Sequence, residues 1–260
     1  SIKKNFILIA EPWSFRGRLP KTMDETTYAF WSDQCREQVL SLIKEGRGQQ
    51  EIIQLLTGKL DSHAQPWQSI NYIESHDDYS FVDRILDGEK KDAGKFADDL
   101  IKMNRLAIFI ILFSPGVPML SAGQDFMRNK EGVRNTYKRG DLNVLRYEDL
   151  NYYSELNLGV RQMIKFRLSE DGVFLRPQKM GDCSYHVCEG FSEGTIGLEI
   201  EDNRKHKSFL LVINFVSQNR TVLYPGKWLG SRCFLSEIQA RSNAVFPPYS
   251  YAVFGLKEES

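Results

Sequence analysis

A carboxylate follows a continuous apolar run close to the first residue of the chain. Phe6–Ala10 is entirely apolar, and Glu11, Pro12 and Trp13 come directly after it. Such a run is typical of a strand that is buried on both faces, as in a parallel sheet. Proline would end the strand, and the flat face of Trp13 would shield the Glu11 carboxylate from water. A shielded carboxyl group suits a general acid, and a surface glutamate in an ordinary turn is the alternative.

A histidine and two aspartates end a second predicted strand. Residues 69–73 combine β-branched and aromatic side chains, and the polar run Glu74 to Asp78 follows them. The adjacent carboxylates of Asp77 and Asp78 repel each other, and aspartate disfavours strands. This ending fits a barrel strand that presents His76 and Asp77 to a site at the carboxyl-terminal face. The alternative is a solvated loop after the strand.

The elements that would position these residues alternate between strand and helix up to about residue 172. Ser32 or Asp33 would cap a helix that ends at Glu45, before Gly46. The other predicted elements are the strands Tyr28–Trp31 and Val117–Gly123 and the helices Gln50–Leu56, Phe81–Leu86, Ala93–Leu112 and Leu156–Leu168. Strand–helix alternation predicts an α/β fold with a parallel sheet.

Beyond Val173 the sequence changes to short β runs that are separated by turn residues. These runs are Ser184–Val187, Thr195–Ile200, Phe209–Phe215, Thr221–Tyr224 and Tyr249–Leu256. Such a series predicts an antiparallel β-sandwich. We therefore expect an α/β domain over residues 1–172 and a β-sandwich domain over residues 173–260.

The composition argues against several classes of function. Lys+Arg and Asp+Glu both number 34, so the chain lacks the overall basic charge that nucleic-acid-binding proteins use. The longest apolar run, Leu106–Phe113, is too short to span a bilayer, so we expect no membrane partner. The sequence contains neither a glycine-rich phosphate loop nor a zinc-type spacing of Cys and His. We therefore expect no cofactor and no metal.

The four cysteines and the first residues of the chain give indications of the cellular compartment of the protein. Free thiols at Cys35, Cys183, Cys188 and Cys233 would fit a reducing environment, and one disulfide from Cys183 to Cys188 or Cys233 is the open alternative. The first residues run straight into a strand pattern without a signal-peptide pattern. We expect a cytoplasmic location and a natural N-terminus further upstream.

Several motifs resemble, in their order, the later conserved segments of the α-amylase superfamily of glycoside hydrolases. The first three are Leu8–Trp13, Asn71–Asp77 and Gly116–Phe126. Phe30–Asp33 and Arg134–Tyr137 resemble further segments of its pullulanase, isoamylase and glycogen-debranching branch. The resemblance implies the C-terminal half of a (β/α)8 TIM barrel, strands five to eight, followed by a small β-sandwich.

The resemblance also implies a reaction, the retaining hydrolysis of α-1,6-glucosidic bonds in glycogen, starch or pullulan. Glu11 matches the general acid/base of the family. Asp77 matches the carboxylate that holds the sugar hydroxyls in the transition state, and His76 matches its hydrogen-bonding neighbour. The glucan is the implied partner, and no calcium-ligand cluster stands out in this half.

Three further side chains are candidate contacts to the glucan. Trp13 could stack on a glucosyl ring or pack around Glu11. Asn135 and Tyr137 could reach the substrate from the last loop or simply stabilise that loop. Trp31 and Trp67 are assigned to packing.

The family nucleophile has no counterpart in the sequence. It is an Asp on the strand before the Glu strand, and no Asp lies among Ser1 to Asn5. We therefore expect the N-terminal half of the barrel to be a partner chain or upstream sequence, without which the chain is inactive. The alternatives are a non-catalytic glucan-binding or regulatory protein, and a member of the superfamily that acts on α-1,4 bonds or transfers glucan.

Overall fold

The computed structural model describes residues 6–14, 17–18, 25–61, 65–88, 97–236 and 243–256. The first six strands are β1 Leu8–Ala10, β2 Trp13–Ser14, β3 Gly17–Arg18, β4 Tyr28–Trp31, β5 Ser69–Asn71 and β6 Val117–Pro118. The helices are α1 Asp33–Glu45, α2 Gln49–Leu56, α3 Phe81–Ile85, α4 Asp98–Leu112, α5 Gly140–Asn143 and α6 Ser154–Leu168. The later strands are β7 Cys183–Val187, β8 Thr195–Asp202, β9 Lys207–Asn214, β10 Arg220–Leu223, β11 Arg232–Leu235, β12 Asn243–Phe246 and β13 Ser250–Gly255.

Four short strands form a parallel sheet in the order β1-β4-β5-β6. Ala10 pairs with Phe30, Phe30 pairs with Ser69, and Asn71 pairs with Pro118. The connections that follow β4 and β5 contain helices, so this part of the chain is α/β, as predicted. Since all four strands are parallel, their carboxyl ends meet at one edge of the sheet.

Local sequence signals explain the bounds of α1. The Ser32 hydroxyl accepts a hydrogen bond from the Cys35 N–H at 3.0 Å, and this contact caps the helix. Gly46 ends the helix with φ 67°, a left-handed conformation that favours glycine. Both ends agree with the prediction. Helix α4 begins at Asp98, and the predicted start at Ala93 to Phe96 lies outside the described residues.

The strand predicted over Val117–Gly123 is shorter than expected. Only Val117–Pro118 pairs with β5, and a 3-10 helix over Gln124–Phe126 follows. Gly123 adopts φ 90° at the start of that turn, a backbone conformation that is incompatible with a continuing strand.

The first strand is exposed, so the prediction that it is buried on both faces is wrong for the described chain. Phe6, Ile7, Leu8 and Ile9 have exposed fractions of 68%, 56%, 38% and 52%. β1 is an edge strand, and among the described residues only β4 pairs with it. The apolar sequence therefore forms an uncovered surface at this edge.

The last third of the chain consists of antiparallel strands. One sheet has the order β11-β13-β9-β8-β7, and β10 pairs with β12 in a second sheet. Val212 of β9 and Phe254 of β13 share a core cluster with Val222 of β10 and Phe246 of β12. Strands β11 and β12 were not predicted, because both are short and carry polar residues at their ends.

An aromatic core joins the α/β part to the antiparallel part. Phe109 of α4 stacks on Tyr251 of β13 with 4.0 Å between ring centroids. Phe166 of α6 lies 5.2 Å from Phe234 of β11, measured between ring centroids. The two parts therefore pack through apolar side chains, and the domain boundary near residue 172 stays a prediction.

The described part of the chain contains no helix that combines the length and the apolar character needed to cross a membrane. All four cysteines, which lie within the described residues, are free thiols, as the sequence favoured.

Candidate functional site

The parallel register brings the candidate residues to one edge of the sheet. Glu11 is the first residue after β1, and His76 and Asp77 follow β5. Strand β4 lies between these two strands, so the polar groups flank its carboxyl end. The edge that the sequence predicted as the site therefore carries acidic groups from two strands.

The surroundings of Glu11 differ from the expectation. The Glu11 side chain is exposed, so Trp13 does not shield it within the described part of the chain. Trp13 instead meets the ring of Trp31 edge-on, with 6.0 Å between ring centroids. An exposed position leaves Glu11 accessible to a ligand at the sheet edge.

Trp31 is the centre of an aromatic cluster. Its ring lies edge-on to three others, at 6.0 Å from Trp13, 5.3 Å from Tyr72 and 5.9 Å from His76. Such edge-to-face contacts are favourable because the positive ring edge faces the negative ring face. The cluster connects Trp13, two residues after Glu11, to His76, which directly precedes Asp77. Trp31 thus has a packing role, as expected, and packs between candidate site residues.

A buried tyrosine anchors this cluster to helix α1. The Tyr72 hydroxyl donates to Asp33 Oδ1 at 2.6 Å, and Arg36 binds the same oxygen at 3.1 Å. The Arg36 guanidinium also lies over the Tyr72 ring, 5.6 Å from its centroid. Burial, together with the hydrogen bond to Asp33, raises the pKa of Tyr72 far above its ordinary value. The hydroxyl therefore stays neutral and continues to donate to Asp33.

His76 and Asp77 are both accessible to solvent. His76 Nε2 lies 3.3 Å from Asp77 Oδ2, and the two side chains are 65% and 59% exposed. The Asp77 N–H donates to the Ser75 hydroxyl at 3.3 Å. The pair can therefore accept and donate hydrogen bonds to a polar ligand at the edge of the sheet.

The loop after β6 holds the loop that carries Asp77. Asn135 Oδ1 accepts the Asp78 N–H at 2.7 Å, and the Asn135 N–H donates to the Asp78 carbonyl at 3.3 Å. Arg134 Nε donates to Asp78 Oδ1 at 2.7 Å. Asp78 and Asn135 both have positive φ, 59° and 50°, so specific contacts hold both residues in a conformation that is uncommon without glycine.

The two loop residues predicted to contact substrate have different surroundings. The Asn135 amide oxygen is bound to the Asp78 backbone, which fits the loop-stabilising alternative. Tyr137 is 77% exposed, and Lys138 lies 5.6 Å from its ring centroid. The structure brings Asn135 close to the Asp77 loop and leaves Tyr137 on the surface.

Buried charged residues beneath the site were missed by sequence reasoning. Glu74, treated as part of a polar strand end, is 3% exposed, and its Oε2 accepts the Phe81 N–H at 2.7 Å. Burial raises the pKa of Glu74 against the opposing effects of that hydrogen bond and of the Arg128 and Lys130 charges. Lys130 is 1% exposed. Neither burial has a local sequence signal, since both depend on the packing of distant loops.

No group of three His, Cys, Asp or Glu side chains that could hold a metal ion occurs among the described residues.

Sequence comparison relates the chain to glucan-debranching enzymes. No protein-family model matches it. The pullulanase of Bacillus subtilis (strain 168) is 33% identical over 142 residues, which cover 53% of this chain and 19% of that protein. The chloroplastic isoamylase 1 of Arabidopsis thaliana is 27% identical over 194 residues, which cover 62% of this chain and 25% of that protein. The chain therefore matches at most about a quarter of the length of these two relatives.

Structural comparison gives the same class of fold. A pullulanase from Anoxybacillus sp. LM18-11, in complex with maltotetraose, has a TM-score of 0.81 and 19% identity over 98% of this chain and 40% of that one. The pullulanase type I of Bacillus subtilis str. 168, in complex with maltose, has a TM-score of 0.80 and 19% identity over the same shares. At this identity the likeness establishes the fold.

The α/β sheet with acidic residues at its carboxyl edge, followed by antiparallel sheets, belongs to the pullulanase class of folds. The chain is similar in sequence to pullulanases and isoamylases, shares the fold of solved pullulanases, and matches only part of the length of these proteins. The resemblance seen in the motifs is thereby confirmed.

Proposed function

We propose that the chain is part of a retaining glycoside hydrolase that cleaves α-1,6-glucosidic branch points in glycogen, starch or pullulan. The observation that carries this function is the placement of Glu11 and of His76–Asp77 at the same edge of one parallel sheet. The relatives named pullulanase and isoamylase support the choice of bond, and the maltotetraose and maltose complexes of two structural neighbours support an α-glucan ligand.

The proposed architecture is the second half of a (β/α)8 barrel over residues 1–172 and a β-sandwich over residues 173–260. Four parallel strands with helical connections support the half-barrel. Two antiparallel sheets that share one core support the sandwich.

Each candidate residue has a role in this proposal. Glu11 protonates the leaving glycosidic oxygen and then activates the water that releases the sugar. Asp77 accepts hydrogen bonds from sugar hydroxyls as positive charge develops on the ring, and His76 orients its carboxylate. Trp13 offers a flat face for a glucosyl ring, and its edge-on contact with Trp31 holds its ring in place.

The nucleophile comes from a further β-segment that pairs with β1. Retention requires a second carboxylate about 5–5.5 Å from the acid/base. The exposed apolar side chains of residues 6–9 and the open edge of β1 support a partner strand at that position. Asn135 and Tyr137 remain proposed glucan contacts on the loop after β6. A cytoplasmic location remains a proposal that free thiols support, and nucleic acid and membrane remain outside the proposed partners.

Substitution of Glu11 by Gln tests the acid/base role in the active form, which is the chain together with the segment that carries the nucleophile. We expect kcat on pullulan to fall on the order of 1,000-fold, because the leaving oxygen is no longer protonated. An α-glucosyl fluoride needs no such proton, so its first step should lose far less rate. Full activity of Glu11→Gln on pullulan would show that Glu11 is not the acid/base.

Two controls separate the proposed function from its alternatives. Linear amylose in place of pullulan distinguishes α-1,4 cleavage or glucan transfer from α-1,6 cleavage. Maltotetraose binding without turnover of any glucan by the active form would favour a glucan-binding protein.

A further inference from the structure

A buried lysine lies directly under the loop that carries Asp77. Lys130 Nζ donates to the carbonyl oxygens of Ser75, His76 and Asp78 at 3.4, 3.1 and 3.0 Å. Its side chain is 1% exposed, so these hydrogen bonds form away from bulk water. A buried ammonium is costly unless its donors are satisfied, and the three carbonyls satisfy them.

The three carbonyls belong to the residues that flank Asp77 on both sides. The His76 carbonyl belongs to the peptide plane before the Asp77 Cα, and the plane after it contains the Asp78 N–H, which donates to Asn135 Oδ1. Lys130 and Asn135 together therefore fix the planes on both sides of this Cα. The direction of the Asp77 side chain then depends on its own rotamer alone. Lys130, together with Asn135, therefore limits where the Asp77 carboxylate can point.

The backbone of the segment that carries Lys130 is itself held in place. Asp83 Oδ2 accepts the Lys130 N–H at 2.7 Å, and Asp83 Oδ1 accepts the Gly132 N–H at 3.0 Å. Ser80 also donates to Asp83 Oδ2, at 2.7 Å. Asp83 is 2% exposed, so the loop that presents Lys130 is anchored to the start of α3 by buried hydrogen bonds.

The backbone around Lys130 leaves little room for adjustment. Gly132 has φ 72°, and a Cβ atom at this position would lie 2.1 Å from the Gly88 carbonyl oxygen. The segment from Lys130 to Gly132 therefore contacts the backbone of the turn after α3 directly. A lysine on so constrained a segment can hold a neighbouring loop in one conformation.

We propose that Lys130 is the positioning residue of the candidate site, which fixes the Asp77 carboxylate for the transition state by binding the carbonyls of Ser75, His76 and Asp78. This role rests on the proposed function, in which Asp77 acts in the transition state. Burial lowers the pKa of Lys130, and the carboxylates of Asp83 and Asp77 act against this effect. Their attraction favours the charged ammonium that donates to the three carbonyls.

The test compares Lys130→Met with Arg167→Met in the active form of the enzyme. Arg167 is a second buried cation that binds backbone carbonyls, but at the opposite end of the sheet. We expect Lys130→Met to lower kcat on the order of 100-fold, since a displacement of about 1 Å has effects of that size. KM should change less than about threefold, because the lost interaction acts in the transition state. Arg167→Met should keep kcat per folded molecule within about twofold.

A second measurement does not require catalysis. Amide hydrogen exchange of the active form reports on the Asp77 loop, because the Asp78 N–H is protected by Asn135 only while the loop keeps its shape. Lys130→Met should accelerate exchange at Asp77 and Asp78 at least about tenfold, and Arg167→Met should leave these amides unchanged after correction for global stability. Lys130→Arg, which keeps the charge and several donors, should recover part of kcat.

The outcomes separate this role from the proposed function. Wild-type kcat in folded Lys130→Met, or unchanged exchange at Asp77 and Asp78, would overturn the positioning role. If Lys130→Met does not fold, the same criteria apply to Lys130→Gln. A wild-type enzyme without hydrolytic activity would overturn the proposed function, and the exchange data would then still decide whether Lys130 holds the loop.

Discussion

Two buried cations bind backbone carbonyls at opposite ends of the parallel sheet. At the carboxyl end, Lys130 binds the loop that follows β5. At the amino end, Arg167 of α6 binds the segment that connects α4 to β6, through the carbonyls of Leu112, Ser114 and Gly116. Both side chains are almost fully buried.

Lys130 and Arg167 differ in the residues that lie on the segments they bind. The carbonyls bound by Lys130 flank His76 and Asp77, which face solvent. The carbonyls bound by Arg167 belong to the apolar end of α4 and the turn before β6. In barrels the carboxyl face holds chemistry and the amino face contributes stability. We infer that the contact between a buried cation and backbone carbonyls positions the Asp77 loop at the carboxyl end of the sheet. At the amino end the same type of contact stabilises the fold.

Removal of the cation at the amino end should have the largest effect on stability. We expect Arg167→Met to lower the free energy of unfolding by about 3 kcal/mol, because three buried carbonyls lose a charged donor. Urea denaturation measures the change. Arg161→Met, an exposed position on the same helix, is the matched control and should stay within about 0.5 kcal/mol of wild type. If Arg167→Met lowers the free energy of unfolding as little as Arg161→Met does, Arg167 has no stabilising role.

A pair of tryptophans sharpens the contrast between the two ends. Trp31 ends β4 beside His76, whereas Trp67 precedes β5 at the opposite end of the sheet. We expect Trp31→Leu to weaken maltotetraose binding to the active form about fivefold, a loss of about 1 kcal/mol, because the support of Trp13 and His76 is removed. Trp67→Leu should leave the Kd within about twofold. Titration calorimetry measures the maltotetraose Kd of both variants. Equal effects of the two substitutions would show that the aromatic cluster around Trp31 has only a structural role.

The smallest expected effect concerns the pH dependence of stability. Burial raises the pKa of Glu74, so the folded chain keeps this proton at pH values where the unfolded chain, with a pKa of about 4.3, has lost it. Its favourable contribution is complete below the unfolded pKa and declines as pH rises through the raised folded pKa. Relative to Glu74→Gln, the wild type should therefore lose stability from about pH 4.5 towards pH 7. Urea midpoints at several pH values measure the difference.

Asp78, four residues further along, gives the opposite sign. Burial favours its neutral form, but the hydrogen bonds from Arg134 and from the Tyr79 N–H, together with the charges of Arg134 and Arg84, outweigh burial and lower the pKa of Asp78. Its contribution is present above the unfolded pKa and lost as pH falls through the lowered folded pKa. Asp78→Asn should thus differ from wild type least at the lowest pH, and a difference with the same sign as for Glu74→Gln would contradict this pH dependence.

Local patterns predicted most of the longer helices and strands, and they predicted the edge that carries the candidate residues. The cap at Ser32, the glycine at position 46 and the His76–Asp77 ending all follow from neighbouring residues. The exposure of β1 could not be predicted, because a run of apolar residues does not show whether another strand covers it. The motif resemblance agrees with the pullulanase and isoamylase relatives that the comparison found, and the site roles of Glu11 and Asp77 remain predictions.

The buried charges could not be predicted for a different reason. Lys130 contacts carbonyls 52 to 55 residues away in the sequence, and a lysine in a polar loop is ordinarily solvated. Glu74 follows a strand like many surface glutamates. Their burial is a consequence of the packing of the loops after β5 and β6, which has no local periodicity.

The contact between Gly132 and the Gly88 carbonyl restricts how this protein can diverge. Any larger residue at position 132 would push the two loops apart and displace Lys130, two positions earlier. Related sequences should therefore keep glycine at position 132 and a constant spacing from Lys130 to Gly132. Insertions and deletions should accumulate beyond this contact, where the chain can change length without moving the lysine.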